Sequence, residues 1–343
     1  TGVLDCTKLH TYKYNEDLFR KVNVIPDGKN HGLVFIVDWS GSMCDSLLDT
    51  IKQLYNLVWF CSKVNIPFEV YAFTNSYNRR HEVSQYQNEP EKGKFIIPGD
   101  FNLMNLLTSK VNKKTLDIQL LNIWRIARQF RTYSQYSCPM QVSLSGTPLN
   151  ESLVALHTIL PKFKRENQLQ KVQCVILTDG ESGQLNYFDY YTDYKGVERI
   201  GGRQCRGDRG YLRNRKTGHT YKIGYQYWNF TDVLLEDLKR SFPDTNFIGI
   251  RLVAPRDLSH FLRRYGFISE QDLKKARKEK SYTIQGSGYD AYFAMIQNSL
   301  SSDTEFEVED EASKSKIKSA FMKSLKAKSL NKKVLSQFMD LVC

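Results

Sequence analysis

The sequence predicts an α/β fold, with a doubly wound, mostly parallel sheet carrying helices on both faces. Two observations point there. Apolar, β-branched runs recur at Leu33–Val37, Phe68–Phe73, Val172–Leu177 and Asn246–Val253. Stretches with apolar residues at helical spacing separate them, at 44–60, 149–160 and 230–241. Strands that alternate with helices in this way belong to a parallel sheet covered on both sides.

Taken in order, the first strand ends abruptly in Asp38-Trp39-Ser40-Gly41-Ser42, and Leu47, Ile51, Leu54, Tyr55 and Val58 then share one helical face. The polar stretch 75–140 reads as an ordered insertion with one amphipathic helix around Leu116–Phe130. In "SLSGTPLNESL", Thr147 stands directly before a helix whose first turn holds Pro148. In "KVQCVILTDGES" the apolar run ends at Thr178, Asp179 and Gly180. A second insertion, 183–228, is rich in tyrosine, glycine and arginine, and its residues 211–223 read as a β-hairpin turning at Lys216-Thr217-Gly218. Thr231-Asp232 is the expected N-cap of the helix that follows. A weaker strand, Tyr282–Ile284, is expected to precede an apolar helix at Ala291–Leu300.

These elements divide the chain into an extension at 1–30, the α/β domain at 31–300, and a tail at 301–343. The tail opens on an acidic run, 303–311, and continues as a lysine-rich helix. There Ile317, Phe321 and Leu325 share a face, as do Val334, Phe338 and Leu341. Such a helix either docks on its own domain or binds a partner.

Composition narrows the class. With 343 residues, 41% hydrophobic and 25% charged, the chain is an ordinary globular protein long enough for a large core. No run approaches the roughly 20 apolar residues of a membrane span, and no secretory signal opens the sequence. The seven cysteines are scattered and contain no C-x-x-C pair, which argues against a disulfide framework or zinc site and for the cytoplasm. A formal charge of +12 is concentrated partly in Arg203, Arg206, Arg209, Arg213, Arg215, Lys216 and Lys222. Such a cluster is either a solvated face or a surface for nucleic acid or an acidic protein.

The chemistry lies in the loops. Three strand-to-helix connections pool two carboxylates, Asp38 and Asp179, and three hydroxyls, Ser40, Ser42 and Thr147. Open α/β sheets bind ligands beyond the carboxyl ends of their strands. A hard divalent ion such as Mg²⁺ or Mn²⁺ takes about six oxygens and readily keeps waters among them. Gly41 would let the backbone turn tightly enough to aim both serines at one ion. The competing reading is that the carboxylates cap helices and the hydroxyls satisfy turns.

The pattern Asp38-x-Ser40-x-Ser42, then Thr147, then Asp179-Gly180 resembles the metal-ion-dependent adhesion site of von Willebrand factor A domains, in order, residue type and strand-end position. The resemblance covers about 30–300, and both long insertions are unmatched to a minimal domain of that family. It implies that Ser40, Ser42 and Thr147 hold metal through hydroxyls, and Asp38 and Asp179 directly or through water. The basic helical tail makes the chain similar to the A domain that ends the cobaltochelatase T subunit and to related proteins, some of them encoded by large tailed bacteriophages. That likeness implies a bacterial or phage-infected cytoplasm and a hexameric AAA+ ATPase of the MoxR kind as partner, with an Asp or Glu of the partner completing the metal's shell.

Enzyme readings find less support. Position 40, where a haloacid-dehalogenase-like phosphatase would place its second Asp, is a serine. No G-x-x-x-x-G-K-[ST], G-x-S-x-G or H-E-x-x-H occurs, and the six histidines stand singly. Cys44 follows the cluster closely and is either a helix-activated thiol or a small packing residue. The expectation is a non-catalytic, metal-dependent interaction module, with nucleic-acid binding by the basic insertion or metal-dependent hydrolysis as alternatives. Tyr187, Phe188, Tyr190, Tyr191 and Tyr194 either form a partner surface near the metal or pack a small core of their own.

Overall fold

The structure is a computed structural model and describes residues 30–75, 86–131, 138–183, 185–205, 210–224, 229–265 and 268–297. The extension at 1–29, the acidic run and the helical tail lie outside the described residues.

The domain is built on one seven-stranded sheet. Its strands are β1 (His31–Asp38), β2 (Phe68–Asn75), β3 (Phe101–Thr108), β4 (Lys171–Thr178), β9 (Thr245–Val253), β10 (Ser281–Ile284) and β11 (Ala291–Ile296). Their spatial order is β10-β11-β9-β4-β1-β2-β3. The five inner strands run parallel, and the edge strands β3 and β10 are antiparallel to their neighbours. Two two-stranded ribbons stand apart: β5 (Asn186–Thr192) with β6 (Glu198–Gln204), and β7 (Tyr211–Arg213) with β8 (Thr220–Lys222).

Six α-helices occur among the described residues: α1 (Leu47–Val64), α2 (Lys113–Arg131), α3 (Leu149–Glu166), α4 (Asn229–Ser241), α5 (Leu258–Arg263) and α6 (Glu270–Glu279). None is long and apolar enough to cross a membrane. Strand pleating sends alternate side chains of β1 into two cores. Leu33, Phe35 and Val37 pack in one with Ile51 and Val58 of α1 and Ile123 and Phe130 of α2. Val34 and Ile36 pack in the other with Leu153 and Leu156 of α3 and Leu235 of α4. Each such aliphatic side chain, fully buried, contributes ~1.5–3 kcal/mol of transfer free energy.

The four strong strands stand where the apolar runs placed them, and several expectations are corrected. Ala291–Ile296 is a strand, not a helix. Tyr292, Ala294 and Ile296 enter one core and Phe293 and Met295 the other, an alternation that an inner strand beside β9 satisfies. The stretch 75–140 is not simply an insertion, since it supplies edge strand β3 and core helix α2. Helix α1 begins at Leu47, after a short 3-10 helix, Gly41–Asp45, and it ends at Val64, capped by Asn65 at a left-handed φ of 58°. Helix α3 continues through Pro161 to Glu166, because Leu160 and Phe163 on either side of the proline are both buried. Thr231 and Asp232 lie inside the first turn of α4 rather than capping it. The hairpin turns through Gly218 at φ +73°, as its sequence predicts.

Candidate metal centre

β1 and β4 are neighbours, and the chain leaves β1 toward β2 but continues from β4 toward β9 on the opposite side. The carboxyl ends of β1 and β4 therefore flank the switch point of the sheet, where such folds form a crevice.

Asp38 ends β1 and is fully buried. Its Oδ1 accepts from the Ser40 backbone N–H at 2.9 Å, and its Oδ2 accepts from Thr178 Oγ1 at 2.6 Å. Burial pushes the carboxyl up to about 6; the bonds from Thr178 and Ser40 oppose that shift, and the charge of Asp179 adds to it. Ser42 Oγ donates to Asp179 Oδ1 at 2.7 Å and lies 3.0 Å from Ser40 Oγ. Burial also raises the Asp179 carboxyl, against the Ser42 bond and the nearby Arg251 guanidinium.

A third loop is stitched to the first. Gly41 N–H donates to Ser145 O at 2.8 Å, and Ser40 and Ser145 form an isolated parallel bridge. Trp39, nearly fully buried, donates from Nε1 to Val142 O at 2.8 Å and meets Phe130 edge-on. The bridge leads two residues on to Thr147, whose side chain lies so close to Gly180 that a Cβ there would stand 3.1 Å from Thr147 Oγ1. At Gly146 a Cβ would collide with the Asn75 amide oxygen, so that side chain would have to turn away. Gly41 is not required as expected: its φ is not left-handed, and a Cβ would stand 3.8 Å from Ser145 O.

The structure thus joins Asp38, Ser40, Ser42 and Asp179 in one hydrogen-bonded set and lays Thr147 against the residue after Asp179. Two partners escaped the sequence reading. Thr178 looked like the end of a strand, and Trp39 looked like a spacer. Among the described residues no group of three or more His, Cys, Asp or Glu forms a metal-ligand cluster. The donors here are two carboxylates and hydroxyls. Nor does any Lys, Arg or His among them pair with Asp38, whose buried charge is met only by hydrogen-bond donors. That donor set fits a hard divalent cation.

Cys44 is half-buried, donates to Phe130 O at 3.2 Å, and has its thiol raised by burial. Of the expected aromatic surface, Phe188 is buried against Tyr86, Tyr187 is half-buried, and Tyr190, Tyr191 and Tyr194 are exposed.

No protein-family model and no curated protein matches the chain. Similar solved structures include the pilus adhesin SpaC of Lactobacillus rhamnosus GG in its open conformation, at 14% identity over 87% of this chain with a TM-score of 0.39. A second form of that adhesin matches at 13% identity over 86% of this chain with a TM-score of 0.41. The chain spans 30% and 31% of the length of those two adhesin chains.

Proposed function

We propose that the chain is a divalent-cation-dependent protein-interaction module of the von Willebrand factor A type, doubly wound, with Mg²⁺ or Mn²⁺ held by Asp38, Ser40, Ser42, Thr147 and Asp179. The observation that carries the reading is the Ser42–Asp179 hydrogen bond. It joins the loops after β1 and β4 at the switch point through two of the proposed ligands. The feeding of two separate cores by alternate β1 residues supports the doubly wound reading.

The bound ion would supply an electrophilic position for an outside carboxylate. Serine and threonine hydroxyls are neutral, so with water standing between the ion and the carboxylates its charge would stay largely uncancelled in the first shell. Thr178 and the Ser40 amide hold the Asp38 carboxylate in place. Asn150, fully buried at the start of α3, donates to Gly183 O at 2.6 Å and accepts from Thr231 of α4 at 2.8 Å. A shift in the Asp179 loop would therefore be felt by both helices.

The partner we propose is an acidic surface of a hexameric MoxR-type AAA+ ATPase. That choice rests on the likeness to cobaltochelatase-type A domains, and the role is binding rather than catalysis. Calorimetric titration with Mg²⁺ and Mn²⁺ tests the centre. The parent should bind one ion, while Asp38→Ala and the Ser40→Ala, Ser42→Ala double variant, both still folded, should bind none. Equal binding by parent and folded variants would refute the assignment. Recovery of an ATPase on the immobilised chain, lost with EDTA and in Thr147→Ala, tests the partner.

A further inference from the structure

A second site shares no residue with the oxygen cluster. Ribbon β5–β6, ribbon β7–β8 and the segment 93–95 enclose a cleft of about 1090 Å³. That is somewhat larger than an ordinary small-molecule pocket of ~300–1,000 Å³ and has room for several amino-acid residues. Its floor is apolar: Phe95, Tyr187 and Leu212 line it and are half-buried against the main core. Its rim is basic, with Lys94, Arg203, Arg213 and Arg215 all exposed, and among the described residues no Asp or Glu lines it.

Two of the arginines already bind carboxylates at the margin. Arg215 Nη1 lies 2.6 Å from Glu91 Oε1, and Arg203 Nε lies 3.4 Å from Asp189 Oδ2. Arg213 has no acidic partner among the described residues. The rim therefore shows that its arginines take carboxylates, through Arg203 and Arg215, and presents the Arg213 guanidinium beside them above an apolar floor.

We propose that this cleft binds an extended acidic segment of a partner protein, one in which Asp or Glu residues alternate with apolar side chains. In an extended segment alternate side chains face opposite ways, so apolar residues would reach Phe95, Tyr187 and Leu212 while the acids turned to the rim. Single-stranded nucleic acid is the less suitable occupant. Its binders present successive exposed aromatic faces along a basic groove, and here the floor rings are half-buried while Tyr211 alone of the lining aromatics is exposed. The cleft binds through its own residues and needs no metal, so it stands apart from the reading of the oxygen cluster.

The test is fluorescence anisotropy with a labelled peptide of sequence SDTEFEVEDEA, the acid-apolar pattern this chain itself carries at 302–312. It is run on the full chain and on a version with the acids of 303–311 changed to Asn or Gln, which removes competition from that stretch. The expected result is binding to at least the second protein. It should weaken tenfold or more in Arg203→Glu, Arg213→Glu, weaken with salt, and be unchanged by EDTA or by Ser40→Ala, Ser42→Ala. No binding to either protein, or binding indifferent to the charge reversal, would overturn the proposal. So would oligothymidylate that binds more tightly than the peptide and loses affinity on the same reversal, which would make the cleft a nucleic-acid site. Loss of peptide binding with EDTA would instead assign the peptide to the oxygen cluster.

Discussion

The Thr178 hydroxyl lies 2.6 Å from Oδ2 of Asp38, joining residues 140 positions apart at the ends of adjacent strands. The carboxylate it serves is fully buried, so Thr178→Val would leave an acceptor without its donor inside the protein. A loss of about 1–3 kcal/mol is expected, read as a lower urea midpoint, with Thr178→Ser retaining most of the stability. A valine variant that unfolds at the parental midpoint would show that the bond carries no weight.

Gly146 and Asn75 give a second expectation. A methyl at 146 meets the Asn75 amide oxygen, the movable end of a half-buried side chain, so the cost is expected at about 1 kcal/mol, the low end for overpacking. Removing the obstacle should restore most of it. Gly146→Ala alone should be destabilised, while Gly146→Ala with Asn75→Ala should be less so than the sum of the single changes. A strictly additive cycle would mean that the backbone, not the amide, sets the requirement.

Glu151, in the first turn of α3, carries a pH dependence. Burial pushes its carboxyl up to about 7, its own backbone N–H opposes that, and Asp100 adds to it. The folded protein therefore holds this proton more tightly than the unfolded chain. The resulting stability is complete below the unfolded value of 4.5 and is lost as pH rises through about 7. The loss is at most about 3 kcal/mol. In Glu151→Gln the stability difference between pH 4.5 and pH 8 should shrink relative to the parent; an unchanged pH profile would count against a raised Glu151.

If a divalent ion binds the oxygen cluster, it binds the folded chain alone. Mg²⁺ at a hundred times its dissociation constant would then add about 2.7 kcal/mol. Thermal unfolding of the parent should move upward with Mg²⁺ and back with EDTA. The Ser40→Ala, Ser42→Ala chain should melt at one temperature in both. A similar Mg²⁺ shift in parent and double variant would place the ion elsewhere.

Much of the architecture could be read from local pattern, and the failures have identifiable causes. β1, β2, β4 and β9 announce themselves because inner parallel strands bury both faces and so read as unbroken apolar runs. β11 does too, yet Ala291–Ile296 is apolar at every position, and only the register against β9 decides between strand and helix. β3 was missed because an edge strand tolerates polar residues, here Asn102 and Asn105. Helices α5 and α6 were also missed, the second being mostly charged, with its N-cap bond from Asp272 N–H to Ser269 Oγ as its clearest signature. At the site, Asp38, Ser40, Ser42 and Asp179 were legible from spacing and strand-end position. The hydroxyl of Thr178 was not, because its role depends on a partner supplied by a distant strand.

The Ser42–Asp179 bond spans 137 residues, and that separation has a kinetic consequence. Contacts this non-local pay their loop-closure entropy before they return anything, so they form late. No early hairpin or isolated helix can assemble the oxygen cluster, because it requires β1 and β4 already side by side. A nascent chain emerging from the ribosome cannot close the cluster until Asp179 has been added, 137 residues after Ser42. If the cluster binds an ion, its capture during refolding should therefore lag behind the recovery of helical signal and arrive with the last cooperative step.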